Sequence, residues 1–483
     1  MNSFKPMLLT SLKSYDRAQF AKDVTAGIIV AIIALPLSIA LALASGVGPE
    51  AGIFTAIVAG FVISALGGSC VQIAGPTAAF ATIVAGIVAR DGLEGLMTAT
   101  ILAGVFLIIM GFCHFGSLIK FIPYTITTGF TSGIAVTIVI GQLKDFCGIT
   151  YPDGVKPIET MEKLKAFAEN FSTISPDALI VGGVSLAILI VSPLIFKKIP
   201  GSLIAVIAGI LMVQFLPLHV STIGNLYTIS NALPTLHLPV FDMKLIQSAI
   251  PNAFTIAVLA AIESLLSCVV ADGMINSKHR SDTELIAQGA GNIASALFGG
   301  IPATGAIART AANIKNGGRT PVAGMVHSIT LVIVLVVLMP FAGMIPMPTI
   351  AAILFLVAYN MCQWRTFVHL VRTAPKSDII VLFTTFVLTV VFDLVVAIEI
   401  GMVLACLLFI KRMSEETHAD SWVYVDDDSP AVDEHLQKLP LEIRVYEITG
   451  PLFFGAADAI EHIVVKDFTK CLVLRMRSVP TID

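Results

Sequence analysis

Glu263 and Arg309 are the residues in this sequence on which chemistry can be built, because each is an ionisable side chain inside an otherwise apolar stretch. The acid lies in the run Phe254 to Val270. The arginine closes the segment Gly299-Gly300-Ile301-Pro302-Ala303-Thr304-Gly305-Ala306-Ile307-Ala308-Arg309. An ionisable group within a membrane segment costs at least ~2.5 kcal/mol, so each needs a partner, and a binding site is the default reading. The plain alternative is that the two pair only with each other. Glycines and a proline interrupt the apolar run where a spanning helix would continue, so backbone groups there must be satisfied by protein or water.

A second interruption lies earlier, at Gln72-Ile73-Ala74-Gly75-Pro76-Thr77-Ala78-Ala79-Phe80. Each break is followed by a short apolar helix and later by a similar element, Phe121-Ile122-Pro123 in one half and Met344-Ile345-Pro346 in the other. Paired Gly/Pro-interrupted segments in corresponding positions of two halves point to a transporter site made of two half-helices. Ordinary helix kinks are the competing reading. Facing half-helix N-termini present unpaired N–H groups and partial positive charge, which suits a small anion.

The elements that must position these residues are membrane spans. The mean hydropathy of +0.91, with 56% hydrophobic and 13% charged residues among 483, is far too apolar for a soluble chain. Runs long enough to cross about 30 Å of hydrocarbon recur from residue 23 to residue 413. About 14 can be drawn, counting the two broken ones. Seven scattered cysteines form no CxxC or Cys/His cluster, so neither a disulfide framework nor a metal site is indicated. The net charge of −4 suggests no nucleic-acid surface. An enzyme would need a nucleophile–base or metal constellation, and none is evident; no cofactor is expected. His327, alone in an apolar span, reads as a packed helix residue.

Residues 1–22, with Lys5, Lys13, Arg17 and Lys22, form a basic lead-in that the positive-inside rule assigns to the cytoplasm. No cleavable signal peptide is evident, so the first helix is expected to stay. Residues 23–413 make the transmembrane region. Pro36 reads as a kink in the first span, and Thr125, Thr127, Thr128 and Thr131 read as packing or cavity-lining hydroxyls. Residues 144–175 form a mixed-charge loop with a short helix, Ile158 to Phe171. From residue 414 to 483 the composition turns polar. Leu441 to Ile448 and Cys471 to Met476 suit strands, and Gly455 to Val464 suits a helix. So few structured residues are expected to be a truncated α/β fold.

Ala34-Leu35-Pro36, Ser45-Gly46-Val47-Gly48-Pro49, Gly67-Gly68-Ser69, Gly75-Pro76-Thr77-Ala78-Ala79, Ile262-Glu263-Ser264-Leu265-Leu266 and Ala308-Arg309 together resemble the SulP anion transporters, bacterial relatives of solute carrier family 26. The resemblance covers essentially the whole chain, and residues from about 414 resemble the first part of a STAS domain. Within the family, Ala261 to Leu266, Asp272-Gly273-Met274, Gly450 to Phe454 and the Ala308-Arg309 pair look most like DauA-type proton-coupled C4-dicarboxylate transporters. Glu399, an acid in the last span, departs from that pattern and reads as a snorkelling or helix-end residue.

The resemblance implies an all-α polytopic membrane protein of seven-plus-seven inverted repeats with two half-helices. It further implies a core domain moving against a gate domain, both termini cytoplasmic, a homodimer, and residence in a bacterial inner membrane. It places the substrate at Ala74, Gly75, Pro76 and Thr77 on one side and Ala303, Thr304, Ala308 and Arg309 on the other. A neutral Glu263 beside an anion would remove repulsion, so its protonation can be linked to anion binding. Sodium is an alternative coupling ion, since Glu263 and Ser267, one turn apart, could supply hard oxygen ligands. The expected activity is uptake of C4-dicarboxylates by alternating access. Sulfate or bicarbonate transport, or an uncoupled channel or exchanger, remain alternatives.

Overall fold

Asp16 accepts a hydrogen bond from the Gln19 amide at 2.7 Å and so caps the first long helix, α2 (Arg17–Ala44), which follows the short α1 (Met7–Ser11). The helix begins within the basic lead-in rather than after Lys22, because this carboxylate satisfies an orphan amide before the apolar run starts. The computed structural model describes residues 4–117, 123–152, 157–195, 200–239, 242–392, 394–415, 418–422, 442–452 and 469–482.

The first half continues through α3 (Pro49–Leu66), β1 (Ala74–Gly75), α4 (Ala78–Phe112), α5 (Tyr124–Cys147), α6 (Thr160–Glu169), α7 (Pro176–Ile195), α8 (Gly201–Phe215) and α9 (Ile223–Leu226). The second runs through α10 (Met243–Ile275), α11 (Ser281–Leu297), β2 (Thr304–Gly305), α12 (Ile307–Lys315), α13 (Val322–Ala342), α14 (Met347–Cys362), α15 (Trp364–Thr373), α16 (Lys376–Val391) and α17 (Leu394–Glu415). The order of two helices, a two-residue strand and a helix starting at the break recurs in both halves. Pro123 and Pro346, from the matching elements noticed in the sequence, each stand at the N-cap of a helix, α5 and α14.

Among the described residues, eight helices have the length and composition to cross a membrane: α2, α3, α4, α5, α7, α10, α13 and the stretch Met347–Thr373. The expected fourteen elements are reached only by adding the short α8, α11, α12 and α16 and the 22-residue α17 and by dividing α4. Gly92 makes that division. Its φ of 69° and ψ of −167° interrupt an otherwise continuous 35-residue helix, a conformation that a Cβ would disfavour. Residues 78–91 thus form one arm and residues 93–112 another.

The chain divides into one compact unit of residues 1–374 with 382–398, and another of residues 375–381 with 399–483. Inside the first, α2, α3, α4, α10, α11 and α13 pack on one another, and α14 packs on α5 and α7, with α8 against α7. Small residues allow close helix crossings. A Cβ on Gly104 would lie 2.6 Å from the Gly289 carbonyl, and one on Gly289 would lie 2.5 Å from the Gly104 carbonyl. Close approach of this kind supplies the van der Waals contact that holds helices together where lipid removes the hydrophobic drive.

One charge is buried at the start of this bundle. Asp23, 0% exposed, accepts from Gln19 Nε2 (2.9 Å), Arg319 N (2.9 Å), Tyr15 Oη (3.0 Å) and Thr320 Oγ1 (2.6 Å). It fastens α2 to the turn that leaves α12.

The second unit holds a three-stranded sheet in the order β3 (His418–Trp422), β4 (Ile443–Thr449), β5 (Cys471–Ser478), with β4 antiparallel to β3 and parallel to β5. The strands expected over 441–448 and 471–476 correspond to β4 and β5. A parallel pair requires a crossover connection; the helix expected over Gly455 to Val464 falls there and lies outside the described residues, as does the side chain of Glu399.

Candidate functional site

The two interrupted segments meet. β1 and β2 pair antiparallel, with Ala74 opposite Gly305 and Gly75 opposite Thr304, and the Ala306 amide donates to the Ile73 carbonyl at 2.9 Å. Two-residue strands cannot hold themselves, and buried polar side chains complete their backbone pairing. Asn292 of α11 grips Ala303 twice, donating to its carbonyl and accepting from its amide, both at 2.9 Å. Thr55 accepts from the Ile301 amide at 2.7 Å, and Ser295 donates to the Ile301 carbonyl at 2.8 Å.

The first segment is held in the same way. Glu284, 0% exposed, accepts from the Gly68 and Ser69 amides at 2.8 and 3.2 Å. Thr310 accepts from the Ile73 amide at 3.1 Å, and Asn313 donates to the Val71 carbonyl at 2.8 Å. The Cys268 thiol bonds the Gln72 side-chain carbonyl.

A hydroxyl relay ties α10 to β2. Thr304 Oγ1 donates to the Ala260 carbonyl at 3.2 Å, so the 2.6 Å contact with Ser264 Oγ must have Ser264 as donor. Ser264 in turn accepts from the Gly305 amide at 3.1 Å. Ser267, 0% exposed, bonds Thr310 Oγ1 at 3.4 Å.

Glu263 and Arg309 address the first half-helix at adjacent residues. Glu263 Oε2 accepts from Thr77 Oγ1 at 3.0 Å, and Arg309 Nη2 donates to the Pro76 carbonyl. No ion pair joins the acid to the arginine among the described residues, so the pairing held open on sequence grounds is not the one formed. Arg309 is 2% exposed, and its Nε and Nη1 have no hydrogen-bond partner. A Cβ at Gly75 would lie 2.4 Å from Arg309 Nη1, so a side chain there would push the guanidinium from the place it takes across the break.

Neither half-helix is closed by its N-cap side chain. Threonine at an N-cap ordinarily bonds the first-turn amides. Thr77 instead turns its hydroxyl to Glu263, and Ala306 has nothing polar to offer. The first-turn amides of α4 and α12 are thereby left without a side-chain acceptor.

Of the residues expected to touch substrate, Thr77 is half-buried and Ala308 exposed, whereas Ala74, Gly75, Pro76, Ala303 and Thr304 are enclosed. Glu263 is half-buried beside Thr77, and Ser267 bonds Thr310. His327 is fully enclosed in α13, and neither ring nitrogen has a hydrogen-bond partner.

A family model described as the sulfate permease family matches residues 20–385. The chain belongs to the sulfate permease family. It is 40% identical over 476 residues to YvdB of Bacillus subtilis (strain 168), whose name assigns it to sulfate transport provisionally; the match covers 98% of this chain and 88% of YvdB. It is 34% identical to the bicarbonate transporter BicA of Picosynechococcus sp., over 95% of this chain and 83% of that protein. The solved transmembrane domain of a cyanobacterial BicA superposes with a TM-score of 0.71 at 30% identity, covering 80% of this chain and 98% of that one. Murine Slc26a9, in an inward-facing structure, shares the fold with a TM-score of 0.87 at 18% identity, covering 99% of this chain and 83% of that one. This permease is accordingly an integral membrane protein of mostly helical, SLC26-like fold.

Sequence reasoning missed the polar side chains that position the breaks of this permease: Thr55, Ser264, Glu284, Asn292, Thr310 and Asn313. The only signal for them was local. Asn292 and Glu284 in α11 stand where burial demands partners; Asn292 finds Ala303 nearby in the chain, but Glu284 finds Gly68 and Ser69 in a distant segment.

Proposed function

We propose that this permease carries a small inorganic oxyanion, sulfate or bicarbonate, by alternating access. The anion would sit between the N-termini of α4 and α12. The observation that carries this reading is the pair of half-helix starts uncapped by side chains, with Arg309 enclosed behind them: first-turn amides that no N-cap side chain takes and a buried guanidinium whose Nε and Nη1 lack acceptors. The names of the relatives, BicA above all, support a bicarbonate- or sulfate-sized ligand. The C4-dicarboxylate expectation draws no support from them and becomes the competing arm of the test.

In this reading Thr77, Ala308 and the first-turn amides touch the anion. Ala74, Gly75, Pro76, Ala303 and Thr304 shape its cradle, and Arg309 supplies charge from below. Glu263 is the coupling group, reached through Thr77, with protonation as the coupling event and sodium binding as its rival. Residues 1–22 and 414–483 form cytoplasmic ends, the latter the first part of a STAS domain. Residues 23–413 form the carrier, assembled as a homodimer in a bacterial inner membrane.

Uptake of labelled sulfate, bicarbonate and succinate into proteoliposomes tests this, with an imposed proton or sodium gradient, for wild type and Glu263→Gln. Saturable uptake of an inorganic oxyanion, driven by one gradient in wild type and undriven in Glu263→Gln while exchange persists, is the expected result. Preference for succinate would return the substrate to the dicarboxylates. Driven uptake in the variant would remove Glu263 from coupling.

A further inference from the structure

A cavity of about 470 Å³ opens between α4, α5, α6 and α10 and the loop joining α16 to α17, lined among others by Thr82, Arg90, Thr137, Lys163, Asn252 and Thr389. Two rulers place it relative to the half-helix site. Thr82 is one turn beyond the start of α4, and Arg90 is about 18 Å along that helix at 1.5 Å per residue. Asn252 precedes Glu263 on α10 by about 16 Å at the same rise. The cavity therefore runs from one turn past the α4 N-terminus to the end of its first arm, on the α6 side of the membrane.

Four charged side chains line it, and they are not equivalent. Glu159 and Glu162 form the capping box of α6, with Glu162 Oε2 accepting from the Ile158 and Glu159 amides at 3.0 and 3.3 Å. Both acids face the helix's own backbone. Arg90 uses only Nε, toward the Gly86 carbonyl at 3.3 Å. Lys163 is half-buried, lying over α5 with Nζ 4.0 Å from where a Cβ on Gly141 would stand. Neither cation joins an ion pair among the described residues, whereas the neighbouring Lys165 pairs with Glu169 at 3.9 Å. Burial also pushes the Lys163 amine below its usual range. The exposed Arg90 and the half-buried Lys163 thus stand in the cavity outside any ion pair among the described residues, with the Thr82 hydroxyl and the Asn252 amide as further polar lining. The Thr137 and Thr389 hydroxyls donate to their own helices at the Ile134 and Thr385 carbonyls.

We propose that this cavity is an outer anion-holding site, in which Arg90 and Lys163 clasp a partly hydrated oxyanion before it reaches the α4–α12 cradle. The volume falls in the range of small-ligand pockets, leaving room for the ion's water. The proposal rests on the anion-carrier reading above. It adds a second station whose occupancy does not require transport.

The test labels Lys163. Pyridoxal 5′-phosphate is added to sealed proteoliposomes on the face that carries α6, followed by borohydride and mass spectrometry. Sulfate, bicarbonate and succinate serve as protectants, and Lys165, an exposed lysine on the same helix, is the internal reference. One of these anions is expected to lower Lys163 labelling about fivefold or more while leaving Lys165 unchanged, and Arg90→Gln is expected to abolish that protection; one charge contact of this kind commonly changes occupancy about tenfold. Protection is expected to persist in Thr77→Ala, where a gradient no longer drives uptake. This separates the outer station from the carrier reading. Equal protection of both lysines, absence of protection by all three anions, or its disappearance in Thr77→Ala would each overturn the proposal.

Discussion

Glu263 and Arg309 never meet: the carboxylate takes the hydroxyl of Thr77 at 3.0 Å, and the guanidinium takes the carbonyl of the preceding residue, Pro76. Both charges thus read the same two residues at the start of one half-helix. An anion between the half-helices would feel Arg309 without Glu263 neutralising it. A change at Glu263 is passed to the N-cap of α4 through a single hydroxyl.

Thr77→Val keeps the shape of the N-cap and removes that hydroxyl. The expected outcome is exchange that survives with a raised half-saturation, about tenfold, and a gradient that no longer accelerates uptake. Proteoliposome exchange and gradient-driven uptake, measured side by side, check it. Gradient drive equal to wild type would break the link between Thr77 and coupling.

Arg309→Gln removes the enclosed charge. Affinity should fall more than about tenfold, the worth of one charge-assisted contact, while the detergent melting temperature holds or rises, because an uncompensated buried cation is no source of stability. Arg309→Lys should recover affinity only in part, since a point charge cannot both bond Pro76 and present a second donor. Wild-type affinity in Arg309→Gln would place the anion elsewhere.

Ser264→Ala cuts the relay from Gly305 to Thr304. It leaves the enclosed Gly305 amide without its acceptor, at a cost of about 1–3 kcal/mol. A lower melting temperature should be seen with or without substrate. A variant as stable as wild type would mean that another group takes the amide.

Asp23→Asn leaves four donors facing a neutral amide, one end of which is itself a donor. We expect a loss of at least about 2 kcal/mol, the scale of hydrogen bonds to a charged group, read as reduced monodisperse yield. The surface change Lys165→Gln serves as the reference, since exposed i,i+4 pairs contribute at most about 0.5 kcal/mol.

The helix crossing at Gly104 and Gly289 gives a graded test. Gly289→Ala places a methyl 2.5 Å from a backbone carbonyl and should depress yield and melting temperature. Gly183→Ala has nothing within 4 Å to meet and should raise stability slightly through its better helix propensity.

The sequence alone determined that this is a polytopic membrane protein, because no soluble fold buries so much apolar side chain. It also located the two breaks, since glycine and proline cannot continue a lipid-exposed helix, and it singled out Glu263 and Arg309 by the cost of their charge. The register of Ala74 against Gly305 was beyond it. So was the partnering of both charges with Pro76 and Thr77 in place of each other, and the enclosure of Ala303 and Thr304 within the support instead of at the open surface. Each depends on polar side chains of α3, α10, α11 and α12 that reach backbone groups of segments far apart in the chain. Hydropathy and turn chemistry report what a segment buries and where it breaks. Which donor meets which acceptor is decided by the helix crossings, and those are set only when the whole bundle packs.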